Sequence, residues 1–144
     1  MRAALAMMWA GLGLTVLAAV YPFLDRGLLA DHVRAGYPGY PQPRIDAAVD
    51  TYLVVLSVVG ALGVVAWLGT VWAVRSGKRW ARSAATVAFV VGAGTALTGL
   101  LVHDTSGDTG LPPAVGWAGL APCLAGAVVV IVLWTSGSGR TQKA

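Results

Sequence analysis

Residues 47–74 read AAVDTYLVVLSVVGALGVVAWLGTVWAV: 28 positions with one acid, Asp50, close to the start and no base. A helix rises 1.5 Å per residue, so this run would reach about 42 Å. The hydrocarbon core of a bilayer is about 30 Å thick and needs about 20 apolar residues to cross. The run is therefore a transmembrane helix that tilts or protrudes by a turn or two. It shows no two-residue alternation of the kind that marks a barrel strand. Three further apolar runs flank it, at 3–24, 83–102 and 114–134, and each is long enough to span. Backbone exposed to lipid must satisfy its own hydrogen bonds, which leaves helices as the element. The expected fold is all-α, a polytopic membrane protein built as an antiparallel bundle of four transmembrane helices, in one domain over residues 1–135. A tail over 136–144 follows it.

Composition agrees. Of 144 residues 57% are hydrophobic and 11% charged, where a soluble globule carries roughly 25% charged residues. The mean hydropathy is +0.73. The net charge of +4 resides in loops and tails, so it is no nucleic-acid footprint, and no nucleic-acid partner is expected. With Cys123 as the single cysteine there is neither an intrachain disulfide nor a Cys-based zinc site.

The charges also orient the chain. Arg2, the 2–3 linker (Arg75, Lys78, Arg79, Arg82) and the tail (Arg140, Lys143) place seven cations on one side, against Arg26, Arg34 and Arg44 on the other. The positive-inside rule then puts both termini in the cytoplasm of a multi-pass cell-membrane protein. All six acids (Asp25, Asp31, Asp46, Asp50, Asp104, Asp108) and both histidines (His32, His103) fall on the outer side. That side carries −3 and the inner side +7. The topology rule does not demand this, because acids contribute little to it. An Asp- and His-rich outer mouth is the most informative feature of the sequence.

The outer loop over 25–46 contains GYPGYPQP at 36–43, whose prolines and glycines exclude a regular helix. The segment 26–35 before it is suited to a short interfacial helix. Ser76-Gly77 makes a tight turn between the second and third spans, and Pro112-Pro113 opens the fourth. Pro122 should kink that last span.

Association of helices in lipid depends on close packing through small residues. Ala84, Ala88, Gly92 and Ala96 form a four-residue ribbon on the third span. Ser57, Gly60 and Gly63 serve the second, and Gly119, Cys123 and Gly126 the fourth. These read as contact lines between neighbouring helices, and less readily as a homo-oligomer seam. Trp9 and Trp67 lie deep enough to pack between helices, while Trp72, Trp80 and Trp134 on one side and Tyr21, Tyr37, Tyr40, Tyr52 and Trp117 on the other read as two interfacial belts.

No ionisable side chain lies deep in a span, which weighs against proton-coupled pumps, voltage sensing and the small multidrug exporters. Asp46 fits a helix N-cap. Asp50, one turn further in beside Thr51 and Tyr52, is placed to face a pocket. His103-Asp104 closes the third span, where a negative charge opposes the helix dipole unless it is paired or solvated. Pairing of these acids with Arg26, Arg34 or Arg44 would be purely structural. Metal binding by His32 and His103 with Asp31, Asp50 or Asp104 matches no compact motif, so no metal and no cofactor is expected. The alternative is an acid–base mouth. A carboxyl at the lipid edge is desolvated and able to donate a proton, His103 to remove one, and aromatic faces to stabilise a cation.

A compact multi-span body with Asp50, Asp104, Tyr52 and Trp117 near one mouth resembles, in architecture, the small integral-membrane terpenoid cyclases of bacterial natural-product pathways. The chain has no DxDD or DDxxD run. The resemblance implies acid-initiated cyclisation or isomerisation of an isoprenoid-like molecule. Asp50, His103 and Asp104 would be the catalytic residues, with Tyr52, Trp117 and Tyr21 binding the substrate. Two other functions fit the same sequence: a non-catalytic accessory or regulatory subunit with a membrane partner, and a small carrier or channel.

Overall fold

The computed structural model describes residues 1–107 and 110–138. Within them the chain is helical throughout, with five helices: α1 (Arg2–Leu24), α2 (Arg26–Gly36), α3 (Gln42–Arg75), α4 (Ala81–Leu101) and α5 (Pro113–Ser138). The four helices other than α2 are long and apolar enough to cross a membrane. Side chains such as Leu17, Val65 and Leu124 stand outward from them, Leu124 with 72% of its surface exposed. An apolar exterior on this scale suits lipid and not water.

The helix ends follow from local chemistry. Asp25 separates α1 from α2 and caps the latter, its Oδ1 accepting from the backbone N–H of Leu28 at 3.2 Å. The short helix expected over 26–35 is α2, which lays Leu29 and Val33 inward. α3 begins at Gln42, five residues before the apolar run. Pro43 does not prevent this, because it sits in the first turn, where its missing N–H has no helical partner to lose. Asp46 is consequently inside the helix and not its N-cap, and it accepts from Nε2 of Gln42 at 2.8 Å. At the other end of α3, Gly77 takes φ +64. The N–H of Lys78 bonds the carbonyl of Ala73, and that of Gly77 bonds Val74. This pair of bonds is the Schellman termination, and it needs a left-handed residue at that place.

The helices form a ring. α1 packs most extensively on α5 and also on α3, and α4 packs on α5, whereas α3 and α4 touch only sparsely. At one end the ring is solid. Ala4 and Met8 of α1 meet Val71, Ala73 and Val74 of α3, Ala81 and Ala85 of α4, and Val129 and Leu133 of α5. At the other end α2 lies on α3, with Leu29 against Val49 and Leu53.

Small residues set the close approaches. A methyl added to Gly60 would come 2.7 Å from Cβ of Ala19, and one on Gly63 3.0 Å from Cγ2 of Thr15. These are the α1–α3 contacts expected of that glycine pair. Trp67 fills the space beside Gly11 and donates from Nε1 to Oγ1 of Thr15 at 2.9 Å. Trp9, expected to pack between helices, is 48% exposed instead. The ribbon on α4 also departs from expectation. Ala88, Gly92 and Ala96 face a cavity rather than a neighbouring helix, and a methyl at Gly92 would meet nothing within 4 Å.

The two glycines should therefore respond oppositely to substitution. Gly60→Leu overpacks the α1–α3 seam and costs about 1–3 kcal/mol. Gly92→Ala leaves stability unchanged or raises it by up to about 1 kcal/mol, the helix-propensity gain. Reversible unfolding in mixed micelles measures both, and equal effects would contradict the packing described.

Candidate functional site

Between the two packed ends lies a cavity of about 1090 Å³, lined by α1, α3, α4 and α5. Such a volume is at the top of the roughly 300–1,000 Å³ range of ligand pockets. Its wall is nearly all apolar or small: Ala18 and Ala19, Val59 and Gly63, Gly92 and Ala96, Pro122 and Gly126 among others. The hydroxyls on it are mostly spent on their own helices, as with Thr70 on Ala66, Thr95 on Val91 and Thr98 on Gly94. This local bonding leaves the wall little free polarity. Phe89 and Trp67 supply aromatic surface, and the half-buried Cys123 the one thiol.

The end away from the solid core is bordered by the loops. Tyr40 lines the cavity and stacks on Tyr37, ring centroids 4.6 Å apart. The Tyr37 hydroxyl shares a 2.6 Å hydrogen bond with Thr105. The Tyr52 hydroxyl donates to the carbonyl of Gly110. The loop between α2 and α3 is thus fastened to the loop between α4 and α5, and α3 is fastened to it as well. Arg44 also lines this end, its guanidinium 4.2 Å above the ring of Tyr40.

The acid–base candidates are placed elsewhere. Asp50 accepts from Nη2 of Arg26 at 2.6 Å. It borders a small separate depression with Phe23 and Val54, not the large cavity. Both partners of the pair are more than half exposed, so it contributes about 0–1 kcal/mol. Asp31 takes Arg34, which also reaches Gln42, and Gln42 reaches Asp46. That chain of bonds ties α2 to α3. Two of the three arginines at this end, Arg26 and Arg34, are therefore engaged with acids.

Asp104 is held in its own turn. Its Oδ1 accepts from the hydroxyl of Ser106 and, at 2.7 Å, from the backbone N–H of Ser106. This Asx-type turn is completed by Gly107 at φ +87. The Ser106 hydroxyl and N–H push the Asp104 carboxyl below its ordinary value, and His32 and Tyr37 act in the same direction. A general acid needs the opposite shift.

His103 is exposed. Among the described residues no contact joins Asp50, His103 and Asp104, and none of the three lines the large cavity. Of the expected substrate-binding residues, Tyr52 lines it; Tyr21 and the 63%-exposed Trp117 do not. Among the described residues no three His, Cys or Asp side chains form a metal-binding group. Asp108, Arg140 and Lys143 lie outside the described residues.

No family model matches the chain, and neither does any curated protein or solved structure.

The lowered Asp104 carboxyl has a pH signature. Its contribution to the turn is complete above the ordinary value of 3.8 and is lost as pH falls through the lower native value. A carbon-detected NMR titration should place its midpoint below 3.8, and Ser106→Ala should move that midpoint up. A midpoint at or above 3.8 in the unmodified chain would contradict the turn.

Proposed function

We propose that the chain is a multi-pass cell-membrane protein that holds a hydrophobic small molecule, isoprenoid- or lipid-like, inside its ring of helices. The observation that carries this reading is the large, almost wholly apolar cavity between α3 and α4. Its wall offers shape and dispersion contacts to a long hydrocarbon and few hydrogen bonds to a polar solute. A channel or carrier for ions would need a polar path, and the wall hydroxyls are turned back on their own helices.

The proposal includes an antiparallel arrangement with both termini cytoplasmic. Contacts of the first turns of α1 with the last turns of α3 support alternating directions. Arg75, Lys78, Arg79 and Arg82 cluster where α3 gives way to α4, and the positive-inside rule assigns that end to the cytoplasm. The cavity's Tyr40–Arg44 end then faces the outer side.

Binding is better supported than chemistry. An acid–base cyclase or isomerase would need a proton donor on the cavity wall. Asp50 is paired with Arg26 and Asp104 is stabilised as a carboxylate by its turn. An accessory-subunit reading is favoured by one observation, the sparse packing of α4, of whose most apolar stretch only 6% is buried. In that reading a partner's helix occupies the gap.

One substitution separates the readings. Gly92→Phe projects a ring into the cavity from a position that is open, so folding and elution should be unchanged. Lipid extraction of purified protein followed by mass spectrometry should find a retained hydrophobic molecule, reduced about tenfold or more in the variant. Unchanged retention would refute the cavity as the binding site. Loss of a co-purifying membrane protein instead would favour the accessory-subunit reading.

A further inference from the structure

Among the described residues the cavity wall carries a single charged side chain, Arg44. Its setting differs from that of the other outer arginines. Arg26 is paired with Asp50 and Arg34 with Asp31, whereas Arg44 makes no ion pair with any described residue. Asp46, two positions on, accepts from Gln42. The contact that Arg44 does make, with the face of Tyr40, uses none of its five N–H donors. That contact also positions it. Tyr40 is fixed by its stack on Tyr37, and Tyr37 by its bond to Thr105. A guanidinium that no described acid pairs is thus held at the rim of an almost wholly apolar cavity.

We propose that the occupant is a membrane phospholipid with a net negative headgroup, its phosphate on Arg44 and its hydrocarbon tail in the cavity. This rests on the reading of the cavity as a hydrophobic-molecule site. The charge complementarity is specific in kind, since a planar guanidinium binds phosphate oxygens through paired N–H donors. Depth agrees with it. The α4 residues on the wall run from Ala85 to Gly99, about 21 Å of helix. That is more than half of the roughly 30 Å hydrocarbon core. Arg44 stands in the first turn of α3, at the end where a headgroup belongs.

The test is native mass spectrometry of the full chain in detergent, titrated with phosphatidylglycerol and with diacylglycerol bearing the same acyl chains. The unmodified chain should favour phosphatidylglycerol about fivefold, the scale of one basic residue against an anionic lipid. Arg44→Gln should abolish the preference while still binding both lipids, and Arg79→Gln, far from the cavity, should keep it. Equal binding of the two lipids by the unmodified chain overturns the headgroup assignment and leaves the cavity reading standing. So does loss of the preference in Arg79→Gln as well, which would mark a general surface effect. Failure of both lipids to bind, or binding undiminished in Gly92→Phe, overturns the cavity reading and the assignment together.

Discussion

Helices in a bilayer gain nothing from leaving lipid for each other's apolar surfaces, so they hold where backbones come close enough for dense contact. The seam between α1 and α3 supplies this, through Gly60 on Ala19 and Gly63 on Thr15, with Trp67 bonded across it to Thr15. α5 joins α4 by similar means, with Gly116 under Leu100 and Gly126 under Phe89, and α1 packs on α5 as well. No such seam exists between α3 and α4. Their connection at Gly77 is tight, and Val71, Val74, Ala81 and Ala85 pack just inside it. Beyond those residues the two helices part. The cavity is what remains when three sides of a ring are packed closely and the fourth is packed only at its end.

The loops border the end opposite the solid core. Tyr37 on Thr105 and Tyr52 on Gly110 link segments far apart in sequence across the end opposite the solid core. The prolines at 38 and 41 lie in the non-helical chain between α2 and α3, where Tyr37 and Tyr40 stack at the rim. The acids that cluster at this mouth are mostly consumed in fastening it, through Asp25 on Leu28, Asp50 on Arg26, Asp31 on Arg34 and Asp104 on Ser106. Among the described residues Arg44 stands apart because its partner is a ring and not a carboxylate.

Much of the fold was legible in the sequence, since four long apolar runs permit only helices. The turn at Ser76-Gly77, the short helix after Asp25 and the start of α5 at Pro113 followed from residue chemistry. α3 starts five residues before its apolar run because Pro43 falls in the first turn, where proline costs a helix nothing. The site was less legible. Small residues at four-residue spacing look the same whether they meet a neighbour, as Gly60 does, or a void, as Gly92 does. The Asp–Arg pairs could be anticipated by charge, yet nothing in the sequence distinguished Arg44 from Arg26 and Arg34. That distinction depends on three-dimensional placement of Tyr40 and Asp50. Ser106, two positions after Asp104, was the available signal that this acid would be held in a turn.

The most direct test of the account is a high-resolution structure in a lipid nanodisc, read along the gap between α3 and α4. The account predicts helices that stay apart beyond Ala85, with elongated density extending from the level of Gly92 towards Arg44. A closed ring, with Gly92 and Ala96 seated directly on Val59 and Gly63 and no space between, would contradict it.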